Sequence, residues 1–157
     1  MSKINKLTTL AETKFLNLYN AEYSNKGGNI KNWIIASRKE KENLEWAYLN
    51  NKELQDDAVL IVPFHKEEEK IVVIRQFRVP INSYIYEMPA GLIDKGESPQ
   101  TAITRELKEE TGLDVIEILK NTVKGQLFLS PGMTDESVTS VFCTCGGTIS
   151  KAYMEED

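Results

Sequence analysis

The sequence has few of the side chains that bind transition metals or form cross-links. It contains one histidine and two cysteines among 157 residues. Cys143 and Cys145 alternate along an apparent strand, so both thiols face the same side, and further Cys or His ligands for a zinc ion are lacking. We therefore expect two reduced structural thiols. The histidine, His65, lies in a charged turn, where we expect it to be solvated and without a functional role.

Basic charge and long apolar runs are also scarce. The 19 basic and 24 acidic residues give a net charge of −5, which is not the basic surface that nucleic-acid binding requires. No apolar run approaches the roughly 20 residues that span a bilayer, and the N-terminal segment MSKINKLTTL lacks a signal-peptide core. We expect a cytoplasmic protein without nucleic-acid or membrane partners, built as one domain with a small extension.

Acidic residues are abundant and concentrated in one stretch, residues 91–113, which reads GLIDKGESPQTAITRELKEETGL. Ser98 is a suitable helix N-cap, and Pro99 suits the first helical position because its missing N–H costs nothing there. Gly112 stands where a left-handed C-terminal cap falls. These signals predict a helix over residues 99–111.

The predicted helix carries three glutamates on one side. Ile103 and Leu107 share the packing face, whereas Glu106, Glu109 and Glu110 crowd an adjoining arc. Like charges at this spacing repel by roughly 0.2–0.5 kcal/mol per pair, and a divalent cation reverses that sign. Hard oxygen ligands suit Mg²⁺ or Mn²⁺. The alternative, from the residues alone, is a solvated acidic helix face.

The stretch resembles the Nudix box at every defined position. Gly91 is followed after five residues by Glu97 and after seven more by RELKEETGL at residues 105–113. The family hydrolyses nucleoside diphosphates linked to another moiety and holds its metal on a loop-helix-loop. The resemblance implies an α/β (α+β) fold, an α/β/α sandwich with a mixed β-sheet.

The resemblance also implies roles for individual residues. Arg105 and Glu97 are expected to pair and to fix the loop on the helix. The catalytic residues that the box implies are Arg105, Glu106, Glu109 and Glu110. The implied metal site comprises the carbonyl of Ala90 together with Glu97, Glu106, Glu109 and Glu110.

The N-terminal region reads as an antiparallel hairpin. Two β-like runs, residues 15–23 and 30–39, flank a turn that contains Gly27-Gly28. Residues 1–14 are compatible with either a short helix or an irregular arm.

The polar stretch over residues 39–57 reads as a boundary, with a short strand possible at Leu44–Ala47. We therefore expect an extension over residues 1–50 and a main domain over 51–157. In the main domain, β-branched content and turn signals predict the strands Ala58–Phe64, Ile71–Phe77, Tyr84–Met88, Val115–Ile118, Thr122–Phe128 and Ser137–Cys145.

Further motifs resemble the ADP-ribose pyrophosphatase branch of the family. They are Gln76-Phe77-Arg78, Glu87 to Gly91, and Ser130-Pro131-Gly132, together with Trp33 followed five residues later by Arg38. In that branch the aromatic residue stacks on adenine, and the N-terminal hairpin swaps across a homodimer. Arginines can also bind phosphate with two hydrogen bonds. The implied substrate-binding residues are Trp33, Arg38, Arg78, Glu87, Gly91, Pro131 and Gly132.

The expected function is Mg²⁺-dependent hydrolysis of ADP-ribose, or of a related nucleoside diphosphate sugar, to AMP and a sugar phosphate. The candidate general base is Glu156, in an ending that resembles the start of the family's acidic loop, or else Glu136. Because the family continues beyond this point, we expect its C-terminal helix to be missing. The rival hypotheses are a non-catalytic ADP-ribose or nucleotide sensor and an inactive truncated form.

Overall fold

The structure, a computed structural model, describes residues 3–119 and 126–153. The chain divides into two compact units. Unit 1 comprises Met1–Gln55 and Phe128–Ser137, and unit 2 comprises Asp56–Leu127 and Val138–Asp157. Among the helices described, none has the length and apolarity needed to cross a membrane.

Unit 1 is built on a three-stranded antiparallel sheet and one helix. Its elements are β1 (Lys3–Ala11), β2 (Asn17–Ser24), β3 (Ile30–Ser37) and α1 (Lys41–Asn50). The strands pair in the order β1-β2-β3, which confirms the predicted hairpin. Residues 3–11 form strand β1, which pairs with β2. Neither form predicted for the segment 1–14, a short helix or an irregular arm, is present over these residues. The buried residues Leu7, Tyr19, Ala21 and Leu44 join α1 to this sheet.

The predicted strand at Leu44–Ala47 is wrong, because this segment is part of α1. Leu44 and Ala47 are the buried residues of the helix and stand three positions apart, as one helical face requires. Asn51 ends the helix in the left-handed conformation, with φ of 50°, and its N–H binds the Ala47 carbonyl. With so few apolar residues facing inward, the helical period is weak in the sequence, and the segment reads as polar.

Unit 2 contains a mixed sheet, a separate hairpin and one helix. Its elements are β4 (Ala58–His65), β5 (Lys70–Ile71), β6 (Ile74–Arg78), β7 (Ser83–Glu87), β8 (Ala90–Leu92), α2 (Pro99–Thr111), β9 (Asp114–Ile118), β10 (Gln126–Phe128) and β11 (Ser137–Gly146). In the mixed sheet, β11 runs parallel to β4 and antiparallel to β9, whereas β8 lies antiparallel to β4. Among the strands that the structure describes, β6 and β7 pair only with each other.

The core of unit 2 joins α2 to the mixed sheet. Ile103 and Leu107 of the helix pack in one cluster with Val59, Cys143 and Cys145. Both thiols are free and buried, as expected for structural cysteines. The fold is therefore the predicted mixed sheet, with the predicted helix laid across it.

Two local predictions in unit 2 are wrong. The strand expected over Ile71–Phe77 is interrupted after Ile71. The Val72 N–H still binds the Pro63 carbonyl at 3.0 Å, in register with the Phe64–Ile71 pair, but Pro63 has no N–H to return the bond, so the ladder stops there. His65 is buried instead of solvated, with only 6% of its surface exposed. Its Nδ1 accepts from the Glu68 N–H at 3.2 Å, so Nε2 carries the proton and donates to the Gly147 carbonyl at 3.0 Å.

Candidate functional site

Helix α2 begins and ends at the predicted residues. The Ser98 hydroxyl accepts a hydrogen bond from the Thr101 N–H at 3.2 Å, and Pro99 takes the first helical position. Gly112 adopts φ of 77°, and its N–H binds the Lys108 carbonyl at 2.9 Å. Both ends of the helix are thus fixed by local chemistry.

The orientation of α2 places Glu106 directly against Gly91, the middle residue of strand β8. A Cβ atom built on Gly91 would overlap the Glu106 carboxylate. Gly91 is paired with Val59 in the sheet, so its backbone has no freedom to move aside. A glycine at position 91 is therefore required for the glutamate to lie against the strand.

Arg105 is the centre of the polar network around the helix. Its Nε and Nη2 donate to the two carboxylate oxygens of Glu97 at 3.0 and 2.9 Å, and Nη2 also donates to the Leu92 carbonyl at 3.0 Å. Its Nη1 donates to Glu106 at 2.7 Å and to Glu109 at 3.1 Å. The hydrogen bonds to Arg105 lower the pKa of Glu97. The expected pairing of Glu97 with Arg105 is present.

Glu110 stands apart from that arginine. One of its carboxylate oxygens accepts from the Ala90 N–H at 3.1 Å. The pKa of Glu110 is raised to about 7, chiefly by burial; the negative charges of Glu106 and Glu87 add to this shift, and the hydrogen bond from Ala90 opposes it. Burial likewise raises the pKa of Glu106, although Arg105 opposes this shift. The site carries acidic groups whose charge is incompletely compensated.

The donor chemistry fits a hard divalent cation, but Arg105 is bonded to two of the candidate ligands. The candidate ligands are carboxylate oxygens of Glu106, Glu109 and Glu110 and the carbonyl oxygen of Ala90, which are ligands that Mg²⁺ and Mn²⁺ prefer. Within residues 3–119 and 126–153, no three acidic, histidine or cysteine side chains converge as a ready coordination group. Because Nη1 of Arg105 bonds two of the glutamates, cation binding there requires those two contacts to be exchanged.

Two other predicted residues pair on the hairpin of unit 2. Arg78, at the end of β6, lies 2.9 Å from Glu87, at the end of β7. About half of the Arg78 side chain is exposed, so its guanidinium remains accessible to an anion. The charges of Glu87 and Arg78 both act on the pKa of Glu110, in opposite directions.

In unit 1, the loop that contains the predicted residues Pro131 and Gly132 lies against β3. The Trp33 Nε1–H donates to the Gly132 carbonyl at 3.1 Å, and the Ala36 N–H donates to the Met133 carbonyl at 2.9 Å. Trp33 is 52% exposed, so it is not a core residue. Pro131 stands next to this contact in the same loop.

Unit 1 also contains an ion pair between Arg38 and Glu136. The Nε of Arg38 donates to the Glu136 carboxylate at 2.8 Å, with both side chains partly exposed. The structure thus brings a candidate phosphate ligand and a candidate general base into direct contact. The other candidate base, Glu156, lies outside the described residues.

The sequence analysis missed two residues of this region, Tyr48 and Asp135. Burial and then the negative charge of Asp135 raise the pKa of the Tyr48 hydroxyl to about 12. The sequence analysis did not identify Tyr48, because it interpreted residues 39–57, which include α1, as a polar boundary. Asp135 adjoins Glu136 in an acidic loop, a pattern that ordinarily indicates solvated carboxylates; a helical reading of residues 41–50 would have found the tyrosine but not the aspartate.

Comparisons with known proteins point to one family. The NUDIX domain model matches residues 54–156. An ADP-ribose pyrophosphatase of Bacillus subtilis (strain 168) is 43% identical over 81 residues, which cover 52% of this chain and 40% of that protein. An ADP-ribose pyrophosphatase of Saccharomyces cerevisiae is 31% identical over 133 residues, 83% of this chain and 53% of that protein.

A solved structure described as the crystal structure of ADP compounds hydrolase shares the fold. It superposes with a TM-score of 0.71 at 22% identity, covering 99% of this chain and 74% of the other. The chain spans about half, or less, of the length of the curated relatives that it matches.

Proposed function

The chain belongs to the Nudix family, and from that premise we propose that it is a divalent-cation-dependent hydrolase of ADP-ribose or a related nucleoside diphosphate sugar. The products are AMP and a sugar phosphate. One observation carries the proposal: Glu106, Glu109 and Glu110 emerge from α2 beside Ala90, on a loop and helix held together by the Arg105–Glu97 pair. Relatives named ADP-ribose pyrophosphatase support the substrate class.

The proposed reaction is the addition of water to one phosphorus of the pyrophosphate. A new P–O bond forms from the water oxygen, the bond to the bridging oxygen breaks, and the water proton passes to a base. Bound Mg²⁺ or Mn²⁺ supplies charge neutralisation on the pyrophosphate and polarisation of the phosphoryl group.

The chain's own residues position the ligands. Arg105 anchors the loop through Glu97, and Gly91 leaves the space that the Glu106 carboxylate fills. Glu110, whose pKa of about 7 reflects a half-buried carboxyl, gains a counter-charge when a cation is present. The family resemblance assigns these residues, with Glu97, Glu109 and the Ala90 carbonyl, to the metal site.

Substrate contacts are proposed for both units. In unit 1, Trp33 stacks on the base and Arg38 binds phosphate oxygens, with Pro131 and Gly132 beside them. In unit 2, Arg78 binds phosphate oxygens beside Glu87. The general base is Glu136 or Glu156. Because the Glu136 carboxylate is bonded to Arg38, it must exchange that partner before it accepts a proton.

The organisation of the protein follows from the same proposal. Residues 1–50 form an extension that serves substrate stacking and homodimerisation, and residues 51–157 form the hydrolase domain. We further propose a cytoplasmic location and Mg²⁺ as the physiological cation.

The test is AMP release from ADP-ribose, followed by chromatography with Mg²⁺ and with EDTA. Glu110→Gln should lose most of the turnover, whereas Glu117→Gln, an exposed carboxylate on β9, should retain it. Absence of AMP release by the unaltered protein, or full turnover by Glu110→Gln, contradicts the proposal.

A second candidate function is a nucleotide-binding module without catalysis. The observation that favours it is the engagement of Glu106 and Glu109 by Arg105 in place of a ready coordination group. Under this hypothesis ADP-ribose binds with equal affinity in Mg²⁺ and in EDTA, and it is recovered intact.

A further inference from the structure

One face of the hairpin formed by β6 and β7 carries an ion pair that runs along its length. The register places Ile74 opposite Glu87 at the open end of the hairpin and Arg78 opposite Ser83 beside the turn. Since side chains alternate between the two faces of a strand, Arg78 and Glu87 lie on the same face but at opposite ends of it. Their 2.9 Å contact therefore requires the arginine to extend away from the turn, towards the open end.

The open end of the hairpin leads directly into the candidate metal site. The Pro89 carbonyl accepts an N–H of β4 at 2.8 Å, and the Ala90 N–H donates to Glu110 at 3.1 Å. These two bonds fix the segment that follows Glu87 to the mixed sheet and to α2. Burial chiefly raises the pKa of Glu110, and the charges of Glu87 and Arg78 act on it in opposite directions. The ion pair thus brings the guanidinium beside a candidate cation ligand.

The Glu87 oxygen that faces Arg78 is closed to ligands. This atom, Oε1, has less than 1 Å² of accessible surface, and 22% of the whole side chain is exposed. A substrate phosphate cannot reach an inaccessible oxygen, and it is repelled by a carboxylate of the same charge. Through Oε1, Glu87 can act on the arginine but not on a bound substrate.

Arg78 itself keeps its hydrogen-bond donors available. Within residues 3–119 and 126–153 its guanidinium makes no hydrogen bond, because the contact with Glu87 is an ion pair without an aligned N–H. The guanidinium of Arg105, by contrast, donates five hydrogen bonds in the same unit. With 45% of its side chain exposed, Arg78 is an arginine whose charge is held while its donors stay free, which suits two-pronged binding of a phosphate.

We propose that Glu87 is a positioning residue, whose buried carboxylate holds the Arg78 guanidinium at the open end of the hairpin, where the arginine binds the substrate pyrophosphate. The inference rests on the proposed function for the substrate, and it adds the group that places a phosphate ligand. A long, exposed arginine without this partner samples many rotamers, and fixing it on binding costs free energy. Glu87 lowers that cost before the substrate arrives.

The first test removes the charge of Glu87 and keeps its shape. Glu87→Gln should raise the Michaelis constant for ADP-ribose by about three- to tenfold, the effect of losing one preorganised side chain, while kcat changes much less. Glu117→Gln, exposed on β9, is the matched control and should leave both constants unchanged. An unchanged Michaelis constant in a Glu87→Gln variant with a normal melting curve overturns the proposal.

A second variant decides if Glu87→Gln does not fold. Glu87→Asp keeps the charge but shortens the side chain by one methylene. Because both side chains already extend towards each other along the hairpin, the shorter carboxylate cannot close the contact, and the Michaelis constant should again rise. No rise in this variant overturns the proposal as well.

A double-mutant cycle tests whether Glu87 acts through Arg78. Arg78→Ala removes the phosphate ligand, so adding Glu87→Gln to it should raise the Michaelis constant no further. Effects that multiply show that Glu87 acts independently, which overturns the proposal. Arg75→Ala is the matched control, because Arg75 lies on the other face of the hairpin, with its guanidinium 4.3 Å from the centre of the Tyr84 ring. It should keep the original Michaelis constant.

Equilibrium binding separates this inference from the proposed hydrolysis. Calorimetric titration of ADP-ribose in EDTA involves neither cation nor turnover, and Glu87→Gln should weaken the binding in the unaltered background but not beside Arg78→Ala. A protein that releases no AMP but shows this pattern contradicts the proposed hydrolysis alone. A protein that hydrolyses ADP-ribose with a Michaelis constant independent of Glu87 contradicts the positioning role alone. A protein that neither hydrolyses nor binds ADP-ribose contradicts both.

Discussion

Arg105 donates two parallel hydrogen bonds to the Glu97 carboxylate, from Nε to one oxygen at 3.0 Å and from Nη2 to the other at 2.9 Å. The same guanidinium reaches the Leu92 carbonyl and the carboxylates of Glu106 and Glu109. A single side chain thus joins the end of β8, the loop before α2 and the exposed face of the helix. Planar, two-pronged geometry of this kind is specific to arginine.

Replacement of Arg105 by lysine should disrupt the loop while the formal charge is kept. A lysine ammonium cannot make both parallel bonds to Glu97, so the ligands shift, and a misplacement of about 1 Å can cost on the order of a hundredfold in turnover. Steady-state rates with ADP-ribose measure the effect. Arg75→Lys, on β6, is the matched control and should keep its rate; equal rates for the two variants would contradict the role of Arg105.

Gly91→Ala should damage the site through its added methyl group alone. The new Cβ overlaps the Glu106 carboxylate, which has to leave its position against β8. We expect weaker Mn²⁺ binding, by about tenfold or more, when it is followed by electron paramagnetic resonance. Gly27→Ala, in the turn between β2 and β3, meets only ordinary contacts and should bind Mn²⁺ normally. Unaltered Mn²⁺ affinity in Gly91→Ala would show that Glu106 is not a ligand.

The metal-free protein should lose stability as the pH rises from about 4.5 to 7. The folded state retains a proton on Glu110 up to its pKa of about 7, whereas the unfolded chain releases that proton near the ordinary value of 4.5. The folded state binds more protons in this window, so the free energy of unfolding falls as the pH increases. Partial exposure of the side chain reduces the effect to about 1–2 kcal/mol.

Urea unfolding in EDTA at a series of pH values measures this dependence. Glu110→Gln carries no titrating group at position 110, so its stability curve should be flatter by that amount over the same window. Parallel curves for the two proteins would rule out a raised pKa at Glu110.

Mg²⁺ should raise the melting temperature of the unaltered protein. A ligand that binds the folded state at one hundred times its Kd contributes about 2.7 kcal/mol, and the cation also relieves the repulsion among the three glutamates. Scanning calorimetry with Mg²⁺ and with EDTA gives the shift, which Glu110→Gln should largely lose. Identical melting temperatures at saturating Mg²⁺ would argue against any metal site on α2.

Trp33→Ala should weaken ADP-ribose binding by roughly 1–3 kcal/mol, the usual effect of removing an aromatic stacking partner. The Michaelis constant should rise far more than kcat falls. Trp46→Ala is the matched control, because Trp46 is 59% exposed on α1 and is not among the predicted substrate-binding residues. A large loss of thermal stability with an unchanged Michaelis constant would assign Trp33 a packing role.

Helix α2 was predictable because its signals are local. The Ser98 cap, Pro99 and Gly112 act within one turn of the helix ends, and the acidic arc follows from the helical period. The family resemblance then assigned the glutamates. Helix α1 was not predictable in the same way, since Leu44 and Ala47 are its buried residues and their burial depends on β1 and β2.

Long-range contacts explain the remaining failures. His65 is buried where its Nε2–H binds the distant Gly147 carbonyl. The β-branched run over Ile71–Phe77 is interrupted where Val72 faces Pro63 of β4, because the proline has no N–H to continue the ladder. Asp135 gave no signal in the sequence, because neighbouring carboxylates usually mark a solvated loop. In the structure only 7% of its side chain is exposed, and it pairs with Lys39, which lies 96 positions earlier in the chain.

The Trp33–Gly132 hydrogen bond spans 99 positions of the chain, and this has a consequence for synthesis. Unit 1 is discontinuous: the ribosome makes β1, β2, β3 and α1 first, and the loop over residues 130–137 only after most of unit 2. Until that loop emerges, the indole of Trp33 and the side of β3 beside it lack their covering segment. The nascent N-terminal sheet therefore remains incomplete while more than seventy residues of unit 2 are translated. During this interval its exposed apolar strands favour association with other chains.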